Sequence, residues 1–386
     1  ATQIPAPGTK EILDRLDKVE SRSMHGQLPI VWVDTDNHIV TDIAGNRFID
    51  FTSGIFVANA GHDNEAVNYA ISDAAHTLHS YTFATNTRLE YLERLTSWTG
   101  FDKAFLVSSG TEATEAALKL MRLYGAKTGR RVISAIKGAF HGRTMGANLL
   151  SGGSGWAADD PDIHIGDDDE IRMDGGVCGV IVETYEGWSA KFHNIESAQM
   201  LEKVCRANDI LLCFDEIQSG FGRTGKLFGY EHYGVHPDLI CIGKGMGNGV
   251  PLSGVLGRAD IMDLPEVGSM SSTHSANPLC CAAGLAVIEE FDRLNLIAEA
   301  ERKGVILHTA LAEIPFKTLG KGMVAAVHLP SADLATKVAY RCMERGLLVV
   351  KTGRETVKIG PPLTIPDDAL LEGVAVLKDA IKEVCQ

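Results

Sequence analysis

The sequence predicts an α/β fold, a mostly parallel sheet covered by helices with a smaller α+β domain attached, and three observations predict it. Short, continuously apolar runs recur with helical patterns between them: Phe105 to Ser108, Val132 to Ile136, Val177 to Val182, Ile210 to Phe214, Leu239 to Ile242 and Gly254 to Leu256. Strands this apolar have no wet face, so such βα alternation means a parallel sheet covered on both sides. From about 28 to 51 the chain alternates apolar and polar residues around Asp-Asn and Ala-Gly-Asn turn signals, the pattern of a small antiparallel meander. Beyond about 283 the pattern becomes helix, helix, strand (Val324 to Leu329), helix, strand (Leu347 to Val350), helix. The expected organisation is a meander segment over 1–50 belonging to the small domain, a large domain over 51–282, and a C-terminal small domain over 283–386.

Each element has a local cause. Between 112 and 124, Ala113, Ala116, Ala117, Leu120, Met121 and Tyr124 recur at helical spacing, so one face of a helix packs on the sheet. The acidic run Asp167-Asp168-Asp169-Glu170 sits in Gly/Asp-rich sequence without other hard ligands nearby and reads as a solvated loop, so no metal is expected.

With 386 residues, 45% of them hydrophobic, the chain can bury a sizeable core. Its 36 basic and 50 acidic residues leave a net charge of −14 with no dense Lys/Arg stripe, which argues against nucleic acid or an anionic membrane as partner. The 8 cysteines lie mostly in apolar runs without a CxxC pair and read as reduced core thiols of a cytoplasmic protein. Ala1 to Glu20 shows no apolar signal core, and no stretch of about 18 apolar residues occurs, so neither secretion nor a membrane span is expected.

The chemistry concentrates in three places. In DLICIGKGMGNGVPLSG, Lys244 follows a short apolar strand among Gly243, Gly245, Gly247 and Gly249. Alone, a strand-end lysine is in most sequences a solvated loop residue, and its surroundings must supply the functional reading. Upstream, the strand ILLCF runs into Asp215-Glu216, delivering a carboxylate to the end of a parallel strand, where open α/β sheets bind ligands. A carboxylate there can keep a pyridinium nitrogen protonated; it can also be a cap or a turn aspartate. In FLVSSGTEATEAALKL, Ser109, Gly110 and Thr111 open a helix, whose unpaired N–H groups suit a phosphate. The same residues make an ordinary capping box with Glu112 or Glu115. The literal GxGxxG of Gly220, Gly222 and Gly225 is followed by KLFGYEHYGVHPD, which lacks a helical period, so a dinucleotide site is not expected.

With these elements in this order the chain resembles the class III aminotransferases, fold type I pyridoxal-phosphate enzymes of the ornithine, acetylornithine and 4-aminobutyrate type. The resemblance runs from about Leu28 onward and is densest over FDEIQSGFGRTGKLFGYEHYGVHPDLICIGKGMGNGVPLSG. It implies a seven-stranded-type sheet, pyridoxal 5′-phosphate as cofactor and ping-pong transamination from a primary amine or ω-amino acid to an oxo acid or aldehyde. Carried over, it makes Lys244 the Schiff-base lysine and Asp215 the partner of the pyridine nitrogen. Gln218 would bond the ring oxygen, Ser109, Gly110 and Thr111 the phosphate, and Phe140 would stack on the ring with His141 beside it. Glu183 is retained from the family's cofactor-side motif. Thr273 matches a threonine that reaches the neighbouring subunit's phosphate, with Ser272 beside it, which implies a homodimer with shared sites. Desolvation and nearby cationic groups would lower the pKa of Lys244 for proton transfer.

On the substrate side, Arg143 matches an arginine that binds a carboxylate, and Phe56, Ile55, Tyr81 and Phe83 match channel-lining positions. Two positions depart from the glutamate-using pattern. Where the family often has an arginine before a Pro-Pro pair, TVKIGPPL has Lys358, which keeps charge but loses the planar fork. Where relatives place a gating glutamate, VETYEGWSA has Trp188. The pair implies a remodelled substrate site. Decarboxylase, racemase, aminomutase and lyase chemistry share Lys244 and Asp215 and stand as alternatives, as does a non-catalytic cofactor-binding module.

Overall fold

The computed structural model describes residues 3–79, 81–153, 160–167 and 171–385. Asp168 to Glu170 of the acidic run lie outside them. The chain forms two compact units: 65–187 with 191–297, and 1–64 with 188–190 and 298–386.

The larger unit is built on seven strands: β1 Lys103–Val107, β2 Val132–Ile136, β3 Ile163–Gly166, β4 Val177–Glu183, β5 Leu211–Asp215, β6 Leu239–Ile242 and β7 Ser253–Gly257. Their spatial order is β1-β7-β6-β5-β4-β2-β3. Strands β3, β2, β4, β5 and β6 run parallel, while β7 is antiparallel to both β6 and β1. Every residue of β4 and β5 is buried, as continuous apolarity requires of central strands. Helix α1, Gly110–Ala126, buries Ala113, Ala116, Ala117, Leu120 and Met121 against the sheet, joining Ile133, Cys178, Ile181, Cys213 and Val255 in one core. Helix α2, Met145–Leu150, follows β2, and α3, Ile195–Ala207, follows β4.

The parallel strands all end at one edge. Register pairs Asp215 with Glu183 on one side and with Cys241 on the other, so two carboxylates and the turn carrying Lys244 leave the sheet together.

In the smaller unit, Trp32–Asp36, Ile39–Asp42 and Arg47–Asp50 form the antiparallel meander, and Leu347–Leu348 joins it in parallel beside Arg47–Asp50. Meander and C-terminal segment are thus joined by direct strand pairing. A second sheet orders Thr318–Lys321, Val324–His328, Thr356–Ile359 and Val350–Lys351.

The division falls at Asn64/Glu65 and Ile297/Ala298, not at 50/51 and 282/283. Helix Pro278–Arg293 accounts for the second difference: it packs on Glu65–Ala74 and Asn86–Thr99, all within the larger unit.

Candidate active site

A cavity of about 270 Å³ opens at the carboxyl edge of the sheet, lined by Gly110, Thr111, Phe140, His141, Gly142, Arg143, Glu183, Asp215, Ile217, Gln218 and Lys244. Sequence separations of more than a hundred residues close here because each contributor sits at a strand end or just beyond it.

Lys244 follows β6 after Gly243, in the left-handed region at φ 43°. Gly243 is required by close approach: a Cβ there would lie 2.7 Å from the Ser253 hydroxyl. Burial lowers the lysine's pKa, against the charges of Asp215 and Glu183, which raise it. The neighbours that act on it are thus anionic, which corrects the expected cationic assistance: seclusion from water alone makes this amine less basic.

Asp215 is buried, its Oδ2 2.8 Å from His141 Nδ1, and its Oδ1 accepts from Ile217 N at 3.1 Å. Burial disfavours the charged imidazole, but the hydrogen bond and charge of Asp215, with Glu183, more than offset it and raise the His141 pKa. His141 Nε2 is buried without a protein partner among the described residues. Glu183 Oε2 accepts from Phe140 N at 3.0 Å and Gly187 N at 3.2 Å, and burial pushes its carboxyl up to about 7.

At the start of α1, Gly110 and Thr111 line the cavity but Ser109 does not. Ser109 N and Oγ donate to Glu112 Oε2 at 2.8 and 2.9 Å, so this serine serves the capping box, while its two neighbours face the cavity. The Arg143 guanidinium lies 4.9 Å from the Phe140 ring centroid.

Thr273 is exposed and Ser272 half-buried, both away from the cavity lining; Tyr81 N donates to Thr273 O at 3.4 Å. Phe83 is exposed. In the smaller unit, Phe56 is buried with Lys358 Nζ 4.6 Å from its ring centroid, while Ile55 is exposed. There Trp188 carries the Arg354 guanidinium 4.6 Å from its ring, and its carbonyl accepts from Thr356 Oγ1 at 2.9 Å. The Gly220–Gly225 segment leads into a turn and then a short 3₁₀ segment, Gly229–Tyr233, rather than into an α-helix.

Sequence reasoning missed Ile217. An apolar residue two past a strand-end carboxylate reads as core; the signal was its place between Asp215 and Gln218, both at the site. Its side chain also lies against the start of α1, 3.0 Å from where a Gly110 Cβ would be.

The class III aminotransferase family model matches residues 21–156 and 168–381. The chain belongs to the class III aminotransferases. It is 32% identical to acetylornithine aminotransferase of Caldanaerobacter subterraneus subsp. tengcongensis, over 93% of this chain and 96% of that one. It is 33% identical to 5-aminovalerate aminotransferase of Pseudomonas aeruginosa, over 93% and 95%. The fold is that of ornithine aminotransferase from Toxoplasma gondii, a structure with partial occupancy of pyridoxal phosphate, at a TM-score of 0.90 and 24% identity over 98% of this chain and 96% of that one. This aminotransferase is accordingly a pyridoxal 5′-phosphate-dependent transaminase, and its relatives favour that reaction over decarboxylation, racemisation, aminomutation, elimination or mere binding. The cavity fits such a cofactor: it combines a secluded amine, an oriented carboxylate, the start of a helix and apolar walls. No described helix is long and apolar enough to cross a membrane.

Proposed function

We propose that Lys244 anchors pyridoxal 5′-phosphate covalently and moves the proton at the amine-bearing carbon of the donor, with Asp215 as partner of the pyridine nitrogen. The observation that carries this reading is the convergence of Lys244, Asp215, Gln218, Glu183, Phe140, His141, Gly110 and Thr111 on one cavity. When bound, the cofactor supplies the electron sink for the carbanion next to the amine nitrogen. Asp215 keeps a proton at the ring nitrogen, and His141 Nδ1 holds that carboxylate in orientation. Gln218 serves the ring oxygen. Gly110 and Thr111, at the positive end of α1, receive the phosphate. Phe140 and Ile217 offer apolar surface to a flat ring. The lowered pKa of Lys244 gives it a neutral amine at lower pH than an ordinary lysine, as a proton carrier needs. Borohydride reduction of the loaded enzyme, followed by peptide mapping, is expected to find the cofactor's mass on Lys244, with Lys244→Ala unlabelled and about 10³-fold or more slower. Label on another lysine overturns the assignment.

The donor in this reading is a primary amine or ω-amino acid, the acceptor an oxo acid or aldehyde, and the two half-reactions give ping-pong kinetics. Arg143 is the cation for a substrate carboxylate: it lines the cavity, and among the described residues it pairs with no carboxylate. Lys358 and Trp188 support a remodelled substrate preference, because the cation is engaged with the Phe56 ring and the gate position holds an indole stacked by Arg354. A donor panel, read as loss of cofactor absorbance in the half-reaction, tests this. Strong preference for glutamate with ordinary 2-oxoglutarate affinity would refute remodelling.

The reading includes a homodimer, supported by the exposure of Thr273 in the single chain. It also includes a reducing, cytoplasmic setting, supported by eight unpaired cysteines, six of them buried. A net charge of −14 supports small molecules rather than nucleic acid as partners.

A further inference from the structure

The loop that carries Phe140, His141 and Arg143 is moulded onto the first two turns of α1. Thr114 Oγ1 donates to His141 O at 2.9 Å. Gly142, at φ 136°, passes so close that a Cβ would lie 2.3 Å from Thr111 Oγ1. Beyond it, one oxygen of Glu115 gathers three donors: Thr144 Oγ1 at 2.6 Å, Gly146 N at 2.8 Å and Ala147 N at 3.1 Å. Gly146 is needed for that approach, since a Cβ there would meet the other carboxylate oxygen, Oε2, at 2.5 Å. Thr144, the N-cap of α2, makes no side-chain cap of its own. Glu115 therefore supplies from another helix the acceptor that the first turn of α2 lacks. Arg143 sits between the two anchor points, the residue after Gly142 and before the capped turn.

We propose that Glu115 is a positioning residue for substrate binding: by capping α2 from outside, it fixes the backbone from which Arg143 reaches a substrate carboxylate. The inference rests on the reading of Arg143 as that cation. A carboxylate is used because three donors converge on one oxygen, and charge-assisted bonds of this kind hold a short loop more firmly than a neutral acceptor does. Glutamine at 115 keeps the size and one acceptor oxygen but loses the charge.

The test compares 5-aminovalerate with pentylamine, the same chain without the carboxylate, as donors to the loaded enzyme. Wild type, Glu115→Gln, Arg143→Gln and the double variant are each followed by half-reaction kinetics and by titration of the cofactor into the apoprotein. Arg143→Gln is expected to raise the apparent dissociation constant for 5-aminovalerate about tenfold or more relative to that for pentylamine. Glu115→Gln is expected to move this ratio in the same direction by about three- to tenfold, without loss of cofactor affinity, and to add little in the double variant. Full additivity, or equal losses with both amines, overturns the positioning role. If Arg143→Gln itself leaves 5-aminovalerate untouched, the reading of Arg143 fails first, a result distinct from failure of Glu115 alone. A folding defect in Glu115→Gln would show as lost cofactor affinity, and it too overturns the proposal.

Discussion

Burial and charge act on Lys244 in opposite directions, and burial wins: desolvation lowers its pKa although Asp215 and Glu183 both raise it. Replacing Asp215 with Asn removes one of those opposing anions and, on the proposed reading, the partner of the ring nitrogen at once. The expected outcome is retained cofactor, a kcat lower by about 10²- to 10⁴-fold, and a basic-group limb of the pH profile moved to lower pH. Steady-state rates across pH check it, and near-normal turnover in Asp215→Asn would remove this carboxylate from the chemistry. Much of the site was readable at this scale because strand-end polar residues stand out against apolar runs, as Asp215 and Lys244 do. Ile217 did not stand out, being an apolar side chain in an apolar region. Ser109 was readable as a cap and as a phosphate ligand alike, and the bonds to Glu112 show the cap. Glu115 looked like one more charge in the first turns of a helix, since its partners lie about thirty residues on.

Among elements, what was legible followed from periodicity. The meander alternates with period two and the central strands are continuously apolar, so both announce themselves. Ile163–Gly166 is only partly buried at the sheet edge, and Thr356–Ile359 carries Lys358 in a wholly buried strand, so neither shows an apolar run. The segment after β5 is held by a feature sequence does not display. Glu216 is fully buried, accepting from Ser219 Oγ, Gly229 N and Tyr230 N at 2.7 to 2.8 Å and from Thr184 Oγ1 at closer range. Burial pushes its carboxyl up to about 7 despite those four donors. Between about 4.5 and 7 the folded state then holds a proton that the unfolded chain has lost, so stability falls as pH rises through that window. Glu183, also raised to about 7, acts with the same sign. Thermal melts of the cofactor-free protein at pH 5 and pH 7.5 should show the decline, and Glu216→Gln should shrink it, at some cost in stability because an amide cannot accept from all four donors. A slope unchanged in that variant would mean that Glu216 stays ionised on its donors. Gly142 is the backbone counterpart: Gly142→Ala meets both a left-handed φ and the Thr111 side chain, and is expected to cost about 1–3 kcal/mol and to weaken cofactor binding, read by cofactor titration.

For the whole molecule, the open matter is whether one chain completes its own site. Gly110 and Thr111 line the cavity, whereas Thr273 is exposed on the same chain and lines no part of it. A threonine that serves a phosphate in trans has this placement, and two-fold assemblies, in which each copy gives what it receives, are the commonest oligomers. A site shared in this way would make complementation between two defective variants countable. Consider Lys244→Ala, which lacks the proposed anchor, and Thr273→Asp, which on the shared-site reading sets a carboxylate against the phosphate; each is expected to be inactive alone. In a hybrid of the two, one site receives both defects and the other receives neither, because its lysine and its partner's threonine are both intact. Random reassociation of equal amounts makes about half of all dimers hybrid, so about a quarter of the wild-type sites return. If Thr273 instead serves its own chain, each site in the hybrid carries one defect and mixing restores nothing. Activity after mixing, with sedimentation to confirm that subunits exchange, therefore separates a shared site from a self-contained one without requiring either variant to be active.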